Sequence, residues 1–347
     1  MIRSAVAGNI ELQQQNVVLR QIIFAVLGFV VVLGVAAIDY HLWSSVSRSM
    51  YLTTAILLAI LYVIGSTLFG SARWFSAGSI LIQPSEIAKI VLILVLADYF
   101  TRNQEKLGDI RFILRSLALT LGIVIWVLLQ PNLSTSIVMM VLWFALLWAA
   151  GLPVKYLVLF GVFGITTLAV AFPVLIEIKV IQQYQLDRII NFIFPNTNAS
   201  YGDIYNIQQA LISIGSGGWF GKGYGHGTQT QLRFLKVRHS DYIFAAMAEE
   251  FGFIGTVLVI LVLVFVIWRI LRAARLSRDT FGGLICYGVA TLITFQAFVN
   301  IGVNLNLLPA TGLTLPLVSY GGSSLLSVLL GIGLVESVIL RHKSLEF

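Results

Sequence analysis

The chain has 347 residues, of which 58% are hydrophobic and only 11% are charged, and its mean hydropathy is +0.93. Because soluble domains carry about 25% charged residues, this composition excludes a soluble globular protein and indicates a polytopic membrane protein. The net charge of +7 does not indicate nucleic acid as a partner, since more than half of the basic residues follow the charge pattern of membrane loops, where they face anionic lipid headgroups.

Nine apolar stretches follow one another along the chain, and each predicts a transmembrane helix. They cover residues 17–38, 50–69, 87–100, 112–129, 133–150, 156–176, 253–268, 281–303 and 318–340. The third stretch is short and carries Lys89 and Asp98, and the seventh extends backwards through Glu249 and Glu250. We therefore predict an all-α, polytopic helical membrane protein with about nine transmembrane helices, forming a single membrane domain over residues 1–347.

Basic residues predict the orientation of these helices, because Lys and Arg concentrate in short cytoplasmic loops. With alternating helices, one face collects Arg48, Arg102, Lys106, Arg111, Arg115, Lys155, Arg269, Arg272, Arg275, Arg278, Arg341 and Lys343. That face is predicted to be cytoplasmic, together with the C-terminus. The long segment 177–240 then lies outside as a large extracytoplasmic loop.

A first polar cluster runs from Arg73 to Lys89, at the outer end of the third predicted helix. Glu86 and Lys89 are three residues apart and therefore share one helical face, where they can form an ion pair. Ionisable residues at the mouth of a membrane helix usually face a bundle interior or a watery cavity. Two interpretations stay open, namely contact with a substrate and a structural ion pair that joins two helices.

A glycine-rich stretch, 214–230, contains seven glycines within the large loop. It lacks the spacing and the preceding strand of a nucleotide P-loop. Glycines let backbone N–H groups approach an anion closely. Basic residues within and after the stretch are Lys222, His226, Arg233, Lys236 and Arg238. The stretch therefore predicts either a pyrophosphate site or a flexible loop with a solvated basic face.

Asp241 follows this basic segment and immediately precedes an apolar run. An Asp in that position can be the N-cap of the following helix. It can also be a general base at the membrane surface, where Lys236, Arg238 and His239 favour its ionised form. The two interpretations are compatible, because a capped residue is also held in a fixed position.

A third cluster, 308–324, combines prolines with repeated glycines near the same outer face. Non-helical backbone at membrane depth occurs only where protein or a cavity covers it. The cluster is therefore predicted to line the same external site. The His residues do not have metal-ligand spacing, so a structural metal is not expected. A divalent cation such as Mg²⁺ or Mn²⁺ that bridges a pyrophosphate stays open, because it needs few protein ligands.

The motifs together resemble the SEDS family (shape, elongation, division and sporulation), which comprises RodA, FtsW and SpoVE. In chain order they are RW from 73, QPSEIAK from 83, QPNLSTSI from 130, YQLDRI from 184, IGSGGWFGKGYGHGTQTQLRFL from 214, HSDYIFAAMAEEFGFIG from 239 and PLVSYGGSS from 316. The resemblance covers nearly the whole chain and is closer to the RodA branch than to the division branch.

The resemblance implies a peptidoglycan glycosyltransferase that polymerises lipid II into β-1,4 glycan at the outer face of the bacterial cytoplasmic membrane, during cell-wall elongation and cell-shape maintenance. Asp241 matches the family's essential loop aspartate and is implied as the general base. The implied partners are lipid II, undecaprenyl-linked glycan, membrane lipids and a class B penicillin-binding protein, with no required cofactor. The expected substrate-binding residues are Arg73, Glu86, Lys89, Arg188, Lys222, Gln229, Lys236, Arg238, His239 and Ser319.

The chain departs from the family pattern in three places, of which the missing first helix and Asn132 favour a scaffold and the third favours the ionised form of Asp241. Family members usually have ten helices, and the first stretch here aligns with the second of them, so the first helix is expected to be missing. Asn132 stands where the family has Asp and Ser134 where it has Gly, and Lys236 with Val237 replaces a Pro-Glu pair. The alternatives are a non-catalytic SEDS-type scaffold and a membrane protein that binds or translocates lipid II.

Overall fold

A computed structural model of the protein describes residues 1–6, 16–64, 66–68, 71–77, 80–177, 182–194 and 202–342. The helices in these ranges are α1 (Ile2–Val6), α2 (Val17–Ala37), α3 (Tyr40–Ile64), α4 (Pro84–Arg102), α5 (Ile110–Leu129), α6 (Leu133–Ala149), α7 (Val154–Glu177), α8 (Gln183–Ile193), α9 (Asp203–Gly217), α10 (Thr228–Gln231), α11 (Ile243–Leu276), α12 (Thr280–Asn304) and α13 (Gly322–Leu340). Three short antiparallel strands, β1 (Ser66–Leu68), β2 (Ser71–Ala77) and β3 (Ile80–Ile82), form a small sheet in the order β1-β2-β3.

The prediction of an all-α membrane protein is confirmed, because a helix forms in every one of the nine apolar stretches. The backward extension of the seventh stretch is also confirmed, since α11 begins at Ile243. The second stretch differs at both ends. Its helix α3 already begins at Tyr40 and ends at Ile64, and the residues that follow pair as strand β1.

Within the described part of the chain, six helices are long and apolar enough to cross a membrane, namely α2, α3, α5, α11, α12 and α13. Helix α6 is apolar but shorter. Helix α4 carries four charged side chains near its two ends, Glu86, Lys89, Asp98 and Arg102. A count of about nine spanning helices therefore requires α4, α6 and α7 to cross as well, and stays a prediction.

The segment 177–240, predicted as a loop, is largely helical where it is described, with helices α8, α9 and α10. In α8 the apolar residues Leu186, Ile189, Ile190 and Ile193 recur with helical spacing, so one face of this short helix is apolar. Short amphipathic helices such as α8 contain no apolar run of membrane-spanning length, so hydropathy alone does not predict them.

The chain forms two compact units, each assembled from three stretches. The first unit comprises residues 1–27, 183–268 and 293–325, and the second comprises 28–182, 269–292 and 326–347. In the second unit α4 packs against α3, α5 and α6, and its residues from Ala88 to Ala97 are buried. The core of the first unit joins α11 and α12 and includes Ala5, Ile243, Phe244, Met247, Leu263, Ala297 and Leu315. The prediction of a single membrane domain stays a prediction.

Candidate functional site

Asp241 lies in a turn of the first unit that leads into helix α11, and the residue is half-buried. The turn closes on the carbonyl oxygen of Val237, which accepts the N–H groups of Ser240 at 3.2 Å and Tyr242 at 3.4 Å. Helix α11 begins two residues after Asp241, at Ile243. The Asp241 carboxylate is therefore carried by a tight turn at the N-terminal end of the long apolar helix α11.

Residues from the predicted third cluster hold the carbonyl groups of this turn. The N–H of Tyr320 donates to the carbonyl oxygen of His239 at 2.9 Å, and Oγ of Ser319 donates to the carbonyl oxygen of Ser240 at 2.7 Å. Ser319 is 5% exposed, so water does not compete strongly for this bond. The predicted site residue Ser319 thus lies beside the Asp241 turn, where it contacts backbone.

The carbonyl oxygen of Asp241 itself accepts two hydrogen bonds from helix α12. The side-chain nitrogens Nδ2 of Asn300 and Asn304 both lie 3.0 Å from it. Reasoning from the sequence missed these two residues. The available signal was a pair of amides four residues apart within an apolar helix, because polar side chains at membrane depth usually serve a function.

The loop 308–316 lies next to the Asp241 carboxylate. Gly312 has a φ of +74°, and a Cβ atom at this position would lie 3.7 Å from Oδ2 of Asp241. Because a positive φ favours glycine, the loop here approaches the carboxylate with backbone rather than with a side chain. The carbonyl oxygen of Leu313 accepts Nδ2 of Asn300 at 2.8 Å. The loop and the aspartate turn are therefore held by the same amide.

His239 lies two residues before Asp241, with its ring centroid 5.8 Å from that of Tyr320. Burial, and secondarily the charge of Arg238, lower the pKa of the His239 imidazole. A lowered pKa favours the neutral imidazole at neutral pH. His239 therefore contributes a neutral ring to the turn that carries Asp241 rather than a second positive charge.

Arg238 is almost fully buried, at 4% exposure. Its Nη1 donates to the carbonyl oxygen of Leu235 at 3.3 Å, and within the described residues Nε and Nη2 have no hydrogen-bond partner. Burial, followed by the charge of Arg233, lowers the pKa of this guanidinium. Lys236 is exposed, and its ammonium lies 5.7 Å from the ring centroid of Tyr205.

Lys222 contacts a buried carboxylate. Its Nζ lies 3.0 Å from Oε1 of Glu249, which is 0% exposed. Glu249 also accepts the N–H groups of Gln229 at 2.8 Å and Thr230 at 3.0 Å, and the hydroxyl groups of Thr228 and Thr230. The predicted site residues Lys222 and Gln229 are therefore brought together around Glu249, and the charge of Lys222 is neutralised there.

The glycine-rich stretch packs its backbone against a break in helix α11. At Gly252, with a φ of +67°, the regular helix is interrupted. Reciprocal hydrogen bonds join the two segments, from Phe253 N to Gly218 O, Ile254 N to Trp219 O, Lys222 N to Glu249 O and Gly223 N to Glu250 O. A Cβ on Gly217 or Gly221 would collide with the carbonyl oxygens of Ala248 or Glu250. Gly218 and Gly223 thus bond to open backbone groups of the broken helix, and the missing side chains of Gly217 and Gly221 permit the close approach.

In the second unit, the predicted pairing of Glu86 and Lys89 is confirmed. The ammonium of Lys89 lies 2.8 Å from Oε2 of Glu86, and Lys89 is 0% exposed. Arg73 on strand β2 donates from Nε to the carbonyl oxygen of Gln130 at 3.2 Å and from Nη2 to that of Pro131. Both cations therefore have protein partners in this unit.

Asn132, which departs from the family pattern, is the N-cap of helix α6. Its Oδ1 accepts the N–H of Thr135 at 3.3 Å. Asn and Asp are about equally good N-caps, so this structural role does not require a negative charge. The substitution therefore removes a charge without removing the cap.

The remaining predicted residue, Arg188 on helix α8, places its guanidinium 5.5 Å from the ring centroid of Tyr184. Among the residues that the structure describes, no group of three His, Cys, Asp or Glu side chains is arranged to hold a metal ion. In the first unit, the predicted residues Arg238, His239, Asp241 and Ser319 thus share one turn and its contacts, and Arg73, Glu86 and Lys89 belong to the second unit.

The chain is similar to known proteins over most of its length. The family model for FtsW, RodA and SpoVE, described as "Cell cycle protein", matches residues 1–344. A probable peptidoglycan glycosyltransferase FtsW of Geobacter sp. (strain M18) is 35% identical, over 93% of this chain and 87% of the relative. Stage V sporulation protein E of Bacillus subtilis (strain 168) is 31% identical, over 92% of this chain and 86% of the relative.

Solved structures give the same result. A chain from a structure described as the structural coordination of polymerization and crosslinking by a peptidoglycan synthase complex is 28% identical, with a TM-score of 0.79 over 94% of this chain and 90% of that chain. The crystal structure of the rod shape determining protein RodA of Thermus thermophilus is 28% identical, with a TM-score of 0.70 over 99% of this chain and 92% of that chain. By sequence and by fold, this polytopic membrane protein belongs to the FtsW, RodA and SpoVE family.

Proposed function

We propose that the protein is a peptidoglycan glycosyltransferase that polymerises lipid II, with Asp241 as its general base. The observation that carries this proposal is the fixed position of the Asp241 turn, whose three consecutive carbonyl groups each accept a hydrogen bond from residues 300–320. A general base needs such a position, because proton transfer requires the acceptor within hydrogen-bond reach of the reacting hydroxyl. Relatives named as probable peptidoglycan glycosyltransferases support the reaction class.

In the proposed reaction, the 4-hydroxyl oxygen of the acceptor GlcNAc attacks the anomeric carbon of the donor MurNAc. Asp241 accepts the hydroxyl proton as the new carbon–oxygen bond forms. The bond between the anomeric carbon and the pyrophosphate breaks, and undecaprenyl pyrophosphate leaves with the electron pair. Inversion at an α-linked donor gives the β-1,4 product. Because the leaving group is stable, the protein chiefly has to position the acceptor and stabilise charge on the pyrophosphate.

Arg238 is the basic residue of the first unit best suited to that charge. Its Nε and Nη2 are buried and lack a hydrogen-bond partner within the described residues. Unpaired buried donors are costly, and a guanidinium suits a phosphate oxygen pair well. Lys222, by contrast, is engaged by Glu249. We therefore assign the pyrophosphate contact to Arg238 ahead of Lys222.

We further propose that the site faces the outside of the cytoplasmic membrane and that a class B penicillin-binding protein is the partner. The charge pattern of the loops supports this orientation, and one similar structure comes from a peptidoglycan synthase complex that couples polymerization with crosslinking. Both substrates then keep their polyprenyl tails in lipid while their sugars reach the site from water. A role in elongation is our proposal for the physiological process.

Reconstitution tests the reaction directly. The protein and a class B penicillin-binding protein are placed together in liposomes with lipid II, and glycan polymer and released undecaprenyl pyrophosphate are measured. Formation of both products supports the enzyme. Binding of lipid II without either product, in protein that is folded, would favour the scaffold, and movement of lipid II between leaflets without polymer would favour a translocating protein.

A further inference from the structure

Two buried asparagines on helix α12, one turn apart, contact the turn that carries Asp241. Asn300 is 1% exposed and Asn304 is 0% exposed. A buried amide is costly unless its donors and acceptor are bonded, and Asn304 makes a hydrogen bond with every group that it has for this purpose. Asn300 forms two hydrogen bonds through Nδ2, and within the described residues its Oδ1 has no hydrogen-bond partner. The hydrogen bonds of both side chains therefore indicate a specific arrangement rather than space filling.

The side chain of Asn304 bridges two backbone groups at the start of helix α11. Its Nδ2 donates to the carbonyl oxygen of Asp241, and its Oδ1 accepts the N–H of Ala245, each at 3.0 Å. These two backbone groups are four residues apart, so an uninterrupted α-helix would join them directly. The Asn304 amide lies between these two backbone groups and keeps Asp241 outside the helix.

The orientation of the Asn304 amide follows from its partners. Its Nδ2 faces two carbonyl oxygens, those of Asp241 and, at 2.8 Å, Asn300. Its Oδ1 faces the N–H of Ala245. Exchanging nitrogen and oxygen would set acceptor against acceptor and donor against donor, so only one orientation satisfies all three bonds.

Asn300 joins the same carbonyl to the loop that faces the carboxylate. Its Nδ2 donates to the carbonyl oxygen of Asp241 at 3.0 Å and to that of Leu313 at 2.8 Å. Leu313 follows Gly312, where an added Cβ atom would lie 3.7 Å from Oδ2 of Asp241. The Asn300 amide thus bonds both to the backbone of Asp241 and to the loop 308–316 next to its carboxylate.

We propose that Asn300 and Asn304 are positioning residues for the transfer reaction and act through Asp241. The inference rests on the proposed function, in which Asp241 accepts the hydroxyl proton. Without the Asn304 amide, the carbonyl of Asp241 can bond directly with the N–H of Ala245, and the helix then begins one residue earlier. Because each helical residue adds about 100° of rotation, the carboxylate then points away from the loop 308–316.

The test compares Asn304→Leu, Asn304→Asp and Asn300→Leu with wild type. Asn304→Asp nearly preserves the volume and keeps an acceptor for Ala245, so it remains informative where the Leu variant does not fold. The matched control is Gln296→Leu, which removes another buried amide, 1% exposed, one turn earlier on α12. Measurements are kcat and KM for lipid II in liposomes with a class B penicillin-binding protein, melting temperature, and hydrogen exchange at Ser240 and Tyr242 in the Asp241 turn.

For each Asn variant with a wild-type melting temperature, kcat is expected to fall at least about 30-fold with KM within about 3-fold, as for a misplaced catalytic group. Gln296→Leu should keep the wild-type kcat. Wild-type kcat in a folded Asn variant would overturn the inference. If wild type itself makes no polymer, the proposed function fails instead, and hydrogen exchange then decides: unchanged protection at Ser240 and Tyr242, whose N–H groups close the turn, in Asn304→Leu would overturn the positioning role.

Discussion

Lys222 and Glu249, 27 residues apart in sequence, form an ion pair with 3.0 Å between Nζ and Oε1. The carboxylate is 0% exposed and lies just before the break of helix α11 at Gly252. Through this pair, the glycine-rich stretch is attached by its side chains to the same part of α11 that its backbone bonds to. The pair thus joins the predicted anion-binding stretch to the helix that follows Asp241.

We expect Lys222→Met to destabilise the protein by about 3 kcal/mol, because it leaves a buried carboxylate without its cation. Thermal unfolding of the purified protein in detergent measures this change. The double variant Lys222→Met with Glu249→Gln should recover part of the loss, since the unpaired charge is then removed as well. Equal melting temperatures for the single and double variants would contradict the expected recovery.

Gly221→Ala should prevent stable folding. The residue has a φ of +77°, and an added Cβ would collide with the carbonyl oxygen of Glu250. The matched control is Gly215→Ala in helix α9, where a Cβ meets nothing within 4 Å. There alanine should be neutral or stabilise by up to about 1 kcal/mol. The yield of monodisperse protein and its melting temperature distinguish the two, and equal behaviour would contradict the close packing against α11.

Asn132→Asp should leave stability within about 0.5 kcal/mol of wild type, because Asp caps a helix as well as Asn does. Asn132→Ala should cost about 1 kcal/mol through loss of the bond to the Thr135 N–H. Chemical or thermal unfolding of both variants measures the difference. A gain of polymerase activity in Asn132→Asp, without a change in stability, would show that a carboxylate here has a chemical role beyond the cap.

The helices could be predicted from the sequence because long apolar runs of this composition have few alternatives in a membrane. The pairing of Glu86 with Lys89 was predictable too, since a three-residue spacing on one helix fixes the contact. By contrast, Asn304 contacts Asp241 across 63 residues, and Lys222 contacts Glu249 only because α11 breaks at Gly252. Such contacts depend on how helices pack, which hydropathy and spacing do not determine. The roles of the predicted site residues stay predictions.

His239 should make stability depend on pH. Burial and Arg238 lower the pKa of its imidazole in the folded state, whereas a His in the unfolded chain titrates near 6.5. As the pH falls through about 6.5 towards the folded-state pKa, the unfolded state binds the proton first, so stability is lost in that window. The melting temperature should therefore fall less between about pH 7.5 and pH 5.5 in His239→Gln than in wild type. If the melting temperature depends on pH in the same way in both proteins, His239 does not cause the loss of stability.

In the proposed function, Asp241 takes the proton during glycan polymerisation. The most direct test is the initial rate of polymer formation from lipid II in liposomes that contain the class B partner and either wild type, Asp241→Asn or Asp109→Asn. Asp109 caps helix α5, so its Asn variant removes one carboxylate without removing the cap. We expect wild-type lipid II binding in all three proteins, and polymer from all but Asp241→Asn, whose rate falls by at least about 100-fold. Polymer formation by Asp241→Asn at the wild-type rate would contradict this role of Asp241.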